Sequence, residues 1–180
     1  SVSGKTTLLN LIAGMAAPSA GSIAINGRDV TNMPAEKRGI GMVFQNYALM
    51  PHMTVFENIA FPLRVRKLPE AEIRRKVEAV LRLVQLPDVA RRKPKELSGG
   101  QQQRISIARC LVYDPSLILM DEPLGALDRK LREQMQLEIK RLHGQLGITV
   151  LYVTHDQEEA MVLSDRICLM NQARIEQLGT

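Results

Sequence analysis

The chain has 180 residues, 45% of them hydrophobic and 24% charged, which is enough to bury one full core and ordinary for a soluble globular domain. No apolar stretch reaches the roughly 18 residues that a membrane-crossing helix needs, and no signal peptide opens the chain. A net charge of +5 raises the question of nucleic acid, but aromatics are only 3%, too few to stack bases on. The basic clusters Arg74-Arg75-Lys76 and Arg91-Arg92-Lys93 read first as solvated faces and second as a surface for anionic lipid headgroups.

In chain order, residues 3–7 read Ser-Gly-Lys-Thr-Thr and lead into a helical pattern at Leu8, Leu9 and Ile12. This is the end of a P-loop pattern, GxxxxGK[ST], whose first glycine would lie before Ser1. In such a loop the amides of Ser3 to Thr7 cradle phosphates. Lys5 reaches the β and γ phosphates, and the Thr6 hydroxyl binds magnesium. Standing alone, these residues also suit an ordinary Gly-Lys helix start. Residues 22–30 (SIAINGRDV) and 39–44 (GIGMVF) read as strands. Residues 54–86 read as mostly helical, with Ile73, Val77, Val80, Leu81 and Val84 in period behind Pro69. The basic segment Arg91 to Glu96 reads as a loop, and a helix follows with Ile105, Ala108 and Leu111 on one face.

Leu117 to Met120 form an apolar run that ends in adjacent carboxylates, Asp121 and Glu122, as a buried parallel strand would. Asp128 suits the cap of a long helix whose stripe is Leu131, Met135, Ile139, Leu142 and Leu146. Ile148 to Val153 reads as another buried strand, and Asp165 to Met170 with Arg174 to Gln177 as a closing hairpin. Cys110 and Cys168 fit neither a metal spacing nor a disulfide framework, so a reducing cytosol is the expected compartment. Strands alternating with helices predict an α/β fold with a largely parallel sheet, interrupted by a helical insertion from about residue 50 to residue 112.

Ligands of such sheets sit beyond the carboxyl ends of the strands. Gln45, the Asp121-Glu122 pair and His155 each follow an apolar run, so they are expected to converge on the edge that faces phosphates held by Lys5. Two carboxylates there can hold magnesium and activate a water. Residues 97–104, LSGGQQQR, place Ser98, Gly99, Gly100 and Gln101 at a helix start, whose amides favour an anion.

With these residues in hand, the chain resembles the ATP-binding subunit of an ABC transporter. The resemblance rests on GKTT, Gln45, LSGGQ, LILMDEP, GALD and His155, in the family's order and over essentially the whole chain. It implies a P-loop NTPase fold: a RecA-like core at 1–49 and 113–180, a small antiparallel β part, and a helical subdomain at 50–112 carrying LSGGQ. It implies ATP and Mg2+ as ligands, with Ser3, Gly4, Lys5, Thr6 and Thr7 on the phosphates. Thr6, Gln45 and Asp121 would serve magnesium, Asp121 either directly or from the layer behind. Glu122 would be the general base, Gln45 would touch magnesium and water, and His155 would hold the γ-phosphate. A lone His after a strand is more often structural; here Thr154-His155-Asp156 stands at the family's spacing.

The resemblance further implies a head-to-tail dimer. Ser98, Gly99, Gly100 and Gln101 of one subunit close over the ATP of the other, and Gly125 to Asp128 resemble the segment that crosses between subunits. Partners would be permease subunits docked on Gln45 to Phe61 and, indirectly, a substrate-binding protein, without nucleic acid. The location would be the cytoplasmic face of a bacterial plasma membrane. VTHDQEEAM and LSGGQQQR look like importers, and PLGALDRKLREQMQ most resembles polyamine importers. Alternatives are a non-transport member acting on DNA or ribosomes, and a nucleotide-binding regulator without turnover. Two departures stand out. Val2 occupies a position where the family has Gly or Asn, and Asn171-Gln172-Ala173 replaces an Asp-Gly turn that Asn partly serves. A chain that begins inside the P-loop lacks the preceding strand and reads as a fragment.

Overall fold

The computed structural model describes residues 3–180, so the expectation for Val2 lies outside the described residues. The chain forms two compact units. The first runs to Met42 and adds Ser116–Glu122 and Gln136–Thr180; the second is Val43–Pro115 with Pro123–Met135.

In the first unit, helix α1 (Lys5–Ala13) starts behind Gly4 and stops at Gly14, both at φ 79°. Residues 22–30 are not one strand. They fold back as a hairpin, β1 (Ala24–Ile25) against β2 (Arg28–Asp29). Asn26 and Gly27 between them both take positive φ, 51° and 74°, the geometry of a tight two-residue turn. That Asn-Gly signal outweighs the strand propensity around it.

Strand β3 (Ile40–Val43) joins β4 (Leu117–Asp121) and β5 (Thr149–Val153) in a sheet of order β3-β4-β5. β4 and β5 run parallel from Leu117↔Thr149 to Asp121↔Val153. β4 takes the centre because Ile118, Leu119 and Met120 are all buried, so the strand has no polar face. Leu9 and Ala13 of α1 close on Leu119 and Val153, with Ile12, Ile40, Met42, Leu117 and Leu151 around them. After helix α6 (Gln157–Leu163), β6 (Ile167–Asn171) and β7 (Arg174–Gly179) pair as the expected hairpin. Its turn residues are Gln172 and Ala173, at φ 46° and 59°. Asn171 pairs with Arg174 inside the ladder, so its tolerance for left-handed backbone goes unused.

The second unit is built on three helices that pack on one another: α2 (Val55–Val65), α3 (Glu70–Leu83) and α4 (Gly99–Leu111). Thr54-x-x-Glu57 and Ser98-x-x-Gln101 are capping boxes, and each satisfies two terminal amides reciprocally. Ile59, Leu63, Ile73, Val77 and Ile105 are fully buried. Within the basic segment, Pro94–Glu96 form one 3-10 turn. Helix α5 (Arg129–Leu146) is capped by Asp128, whose Oδ1 accepts from the Leu131 amide at 3.0 Å. Its stripe is buried at Met135, Ile139 and Leu142 but not at Leu146, which is 41% exposed at the last turn.

Arg38 ties the first unit together, and its sequence neighbourhood gives no hint of it. Its guanidinium is buried and donates to the carbonyls of Leu11, Ile12, Thr31 and Met33 at 2.8–3.1 Å. Two of those carbonyls end α1, where a cation complements the helix dipole. Gly14 makes room, since a Cβ there would stand 2.7 Å from Arg38 Nε. Replacing Arg38 with Met leaves these carbonyls without a charged donor. We expect the variant to lose about 2–4 kcal/mol in urea unfolding. Arg38→Lys should recover little of it, because an ammonium cannot fork across the same acceptors.

Candidate active site

Asp121 is the last residue of β4, and Glu122 follows at φ 45°, a left-handed backbone that a side chain rarely adopts. The Glu122 amide donates to Val153 O at 2.9 Å, so the pairing with Val153, the last residue of β5, continues one step past the end of β4. That bond offsets part of a conformational cost of about 1–2 kcal/mol. The turn places Glu122 Oε2 3.1 Å from Nδ1 of His155, which follows β5. The imidazole is 70% exposed and the Glu122 side chain 26%, so a half-buried carboxylate meets a ring open to solvent. At this distance the carboxylate can accept a hydrogen bond from Nδ1 when that nitrogen carries a proton. Asp121 has its carboxyl pushed above the usual range, chiefly by burial and then by the Glu122 charge, with Lys5 pulling the other way.

Glu159 completes this edge and was not among the expected residues. It is buried on α6, and its Oε2 accepts from Tyr152 Oη and Thr154 Oγ1, each at 2.9 Å. Thr154 Oγ1 in turn accepts from the Asp156 amide at 3.0 Å. Asp156 caps α6 by accepting from the amides of Glu158 and Glu159. Asp156, Glu158 and Glu159 stand close together in sequence, and only packing separates the buried carboxylate from its exposed neighbour Glu158.

Lys5, Thr6 and Thr7 form the first turn of α1, which holds no acidic residue and has no side-chain cap. An uncapped, unopposed helix start suits an anion. The β6–β7 turn lies against it. The Ala173 amide donates to Ser3 O at 3.3 Å, and a Cβ on Gly4 would come 2.9 Å from the Cα and Cβ of Ala173. Gly4 is therefore required both by its φ and by that close approach.

Gln45 and the LSGGQ residues belong to the second unit. Gln45 is exposed in the turn after β3. Tyr47 and Ala48 just beyond it are both left-handed, at φ 59° and 48°. Helix α4 holds them there. Arg109 donates to Ala48 O at 2.7 Å and to Tyr47 O at 3.1 Å, and Ser106 Oγ donates to Tyr47 O at 3.1 Å. At the start of α4, Ser98 Oγ accepts from the Gln101 amide at 3.3 Å, while Gln101 Oε1 accepts from the Ser98 amide at 3.0 Å. The glycines between them have a packing role that the sequence did not reveal. A Cβ on Gly100 would stand 2.7 Å from Leu131 Cδ1, and one on Gly99 3.3 Å from Leu127 Cδ2.

Residues 1–125 match the family described as ABC transporter. The chain is 58% identical over 177 residues to a protein of Thermobifida fusca named spermidine/putrescine import ATP-binding protein PotA, covering 98% of this chain and 46% of that one. The protein of the same name from Aggregatibacter actinomycetemcomitans is also 58% identical over 177 residues, covering 98% and 48%. The chain thus spans about half the length of these curated relatives. The solved structure of cbiO1 from Clostridium perfringens, described as part of the ABC transporter complex cbiONQ, matches with a TM-score of 0.88 at 28% identity. That match covers 99% of this chain and 73% of the other.

Two outcomes follow from the geometry. The raised pKa of Asp121 stabilises the fold below the ordinary carboxylate range, and that contribution is lost as the pH rises through the folded value. At neutral pH the ionised group is a cost. Asp121→Asn should therefore raise the melting temperature at neutral pH without divalent cations. The gain should vanish as the pH falls through the carboxylate range. Gly100→Ala would stabilise a free helix by about 0.5–1 kcal/mol. Against Leu131 it should instead cost about 1–2 kcal/mol in thermal unfolding, and Leu131→Ala in the same chain should restore the loss.

Proposed function

We propose, since this chain belongs to the ABC transporter family, that it binds ATP on the loop and first turn at Ser3 to Thr7 and hydrolyses it with Glu122 as general base. The observation that carries this reading is the Glu122 carboxylate held 3.1 Å from His155 beside a second carboxylate, Asp121. Ser3, Gly4, Lys5, Thr6 and Thr7 hold the phosphates: Gly4 admits the left-handed turn, and Lys5 brings the charge. Glu122 takes a proton from the attacking water. His155 steadies the transferring phosphoryl, and its Nδ1 contact with Glu122 fixes which ring nitrogen is left to do so. Two adjacent carboxylates, one with its proton affinity raised by burial and then by the other's charge, make a donor set suited to a hard dication. Thr6, Asp121 and Gln45 would hold Mg2+, which when bound supplies neutralising charge on the phosphate oxygens.

Ser98, Gly99, Gly100 and Gln101 serve the nucleotide of a second copy of the chain in a head-to-tail dimer. Binding then favours closure of the pair, and hydrolysis favours its opening. The dimer works on permease subunits docked at Gln45 to Phe61, supplied by a substrate-binding protein, at the cytoplasmic face of a bacterial membrane. Among the described residues no helix is long and apolar enough to cross a membrane, in keeping with a path that lies in separate subunits. The names of the relatives support polyamine, spermidine or putrescine, as the imported solute.

The test is Glu122→Gln in the full-length chain. ATP affinity should stay within a few-fold of wild type, while steady-state hydrolysis falls by about 10²–10⁴-fold. ATP should then trap a stable dimer. Hydrolysis near the wild-type rate would remove Glu122 from the role of base.

A further inference from the structure

We infer that Glu159 is a positioning residue for His155, acting through Thr154 to set where the imidazole stands at the end of β5. The inference rests on the hydrolytic reading above and names a residue that the motifs of the sequence did not single out. His155 has an exposed ring on a short connection between β5 and α6. The residues on either side are held by one buried carboxylate. Glu159 is 3% exposed, and a single oxygen, Oε2, accepts from both Tyr152 and Thr154.

The two donors have different anchors. Tyr152 lies inside β5 and pairs with Met120 of β4, so it fixes the carboxylate to the sheet. Thr154 is the residue before His155, and its hydroxyl both donates to Glu159 and accepts from the Asp156 amide, the residue after His155. Asp156 then returns to α6 by accepting from the Glu159 amide at 3.2 Å. The bonds form a closed ring: Thr154 to Glu159 to Asp156 and back to Thr154, with His155 the one member of the connection that the ring leaves pointing outward. A buried carboxylate is costly unless its acceptor sites are filled, so the ring holds its geometry. Removing the carboxylate takes the shared acceptor from Tyr152 and Thr154 and lets the backbone at 154–156 relax, and with it the 3.1 Å contact between His155 and Glu122.

The experiment reads the imidazole directly and hydrolysis separately, in the full-length chain. The sequence has three histidines, so 15N-labelled ring signals of His52, His143 and His155 can be told apart by a His155→Gln control. Glu159→Ala should shift and broaden the His155 ring signals while those of His52 and His143 stay put. Thr154→Val should do the same. Glu159→Gln, which keeps an acceptor, and Thr154→Ser, which keeps the hydroxyl, should stay close to wild type. In steady state, kcat for ATP should fall about 10–100-fold in Glu159→Ala and Thr154→Val, with KM within about two-fold. If Glu159→Ala does not fold, Thr154→Val carries the test, since it keeps the shape of the side chain. Unchanged His155 signals in the folded variants would overturn the inference. Moved signals in a wild-type background that shows no ATP turnover would overturn the hydrolytic reading and leave the positioning role standing.

Discussion

The hydrogen bond from the Glu122 amide to Val153 O decides more of this structure than any other. It carries the pairing with Val153, the last residue of β5, one residue beyond the end of β4. Without it, Glu122 would have no reason to keep a left-handed backbone, and its carboxylate would not meet the imidazole that follows β5. The bond can form only because the register runs unbroken from Leu117↔Thr149 to Asp121↔Val153. A one-residue slip would separate Glu122 from His155.

Glu122, Tyr47, Ala48 and Ala173 all hold positive φ without being glycine, at about 1–2 kcal/mol each. Each is held from outside. Val153 O takes the Glu122 amide, Arg109 and Ser106 take the carbonyls of Tyr47 and Ala48, and Ser3 O takes the amide of Ala173. Burial lowers the proton affinity of Arg109, yet its guanidinium remains a cation and so a strong donor to two carbonyls. The tie joins the turn after Gln45 to the helix that LSGGQ opens. Membership in the ABC transporter family gives that tie a use, because the loop and the signature helix are the elements proposed to report to a permease and to a second nucleotide.

Gly4 and Gly100 are required for different reasons. Gly4 serves both ends: its φ of 79° starts α1, and the β6–β7 turn fills the space a Cβ would need. Gly100 answers to Leu131 alone. An identical motif letter thus has a local backbone cause in one place and a packing cause in the other. Arg38 is the polar counterpart: a buried guanidinium that ends α1 and holds the carbonyls of Thr31 and Met33.

Local chemistry was legible in the sequence wherever it depends on neighbours along the chain. The apolar run that ends in Asp121-Glu122, the Asp128 cap, the helical stripes of α3 and α5, and the GKTT and LSGGQ segments each carry their own signal, and with them came the α/β class and the family resemblance. Residues 22–30 read as one strand in sequence, and the Asn26-Gly27 turn breaks them into a hairpin. Tertiary structure alone decided the rest. Leu146 leaves the buried stripe because burial depends on what the far side of a helix meets. Arg38, Glu159 and Arg109 look like any surface charge in sequence, since a charge is buried only where distant carbonyls or hydroxyls converge to receive it. The contact of Glu122 with His155 likewise joins residues far apart in the chain, and only the pairing of β4 with β5 brings them within a hydrogen bond.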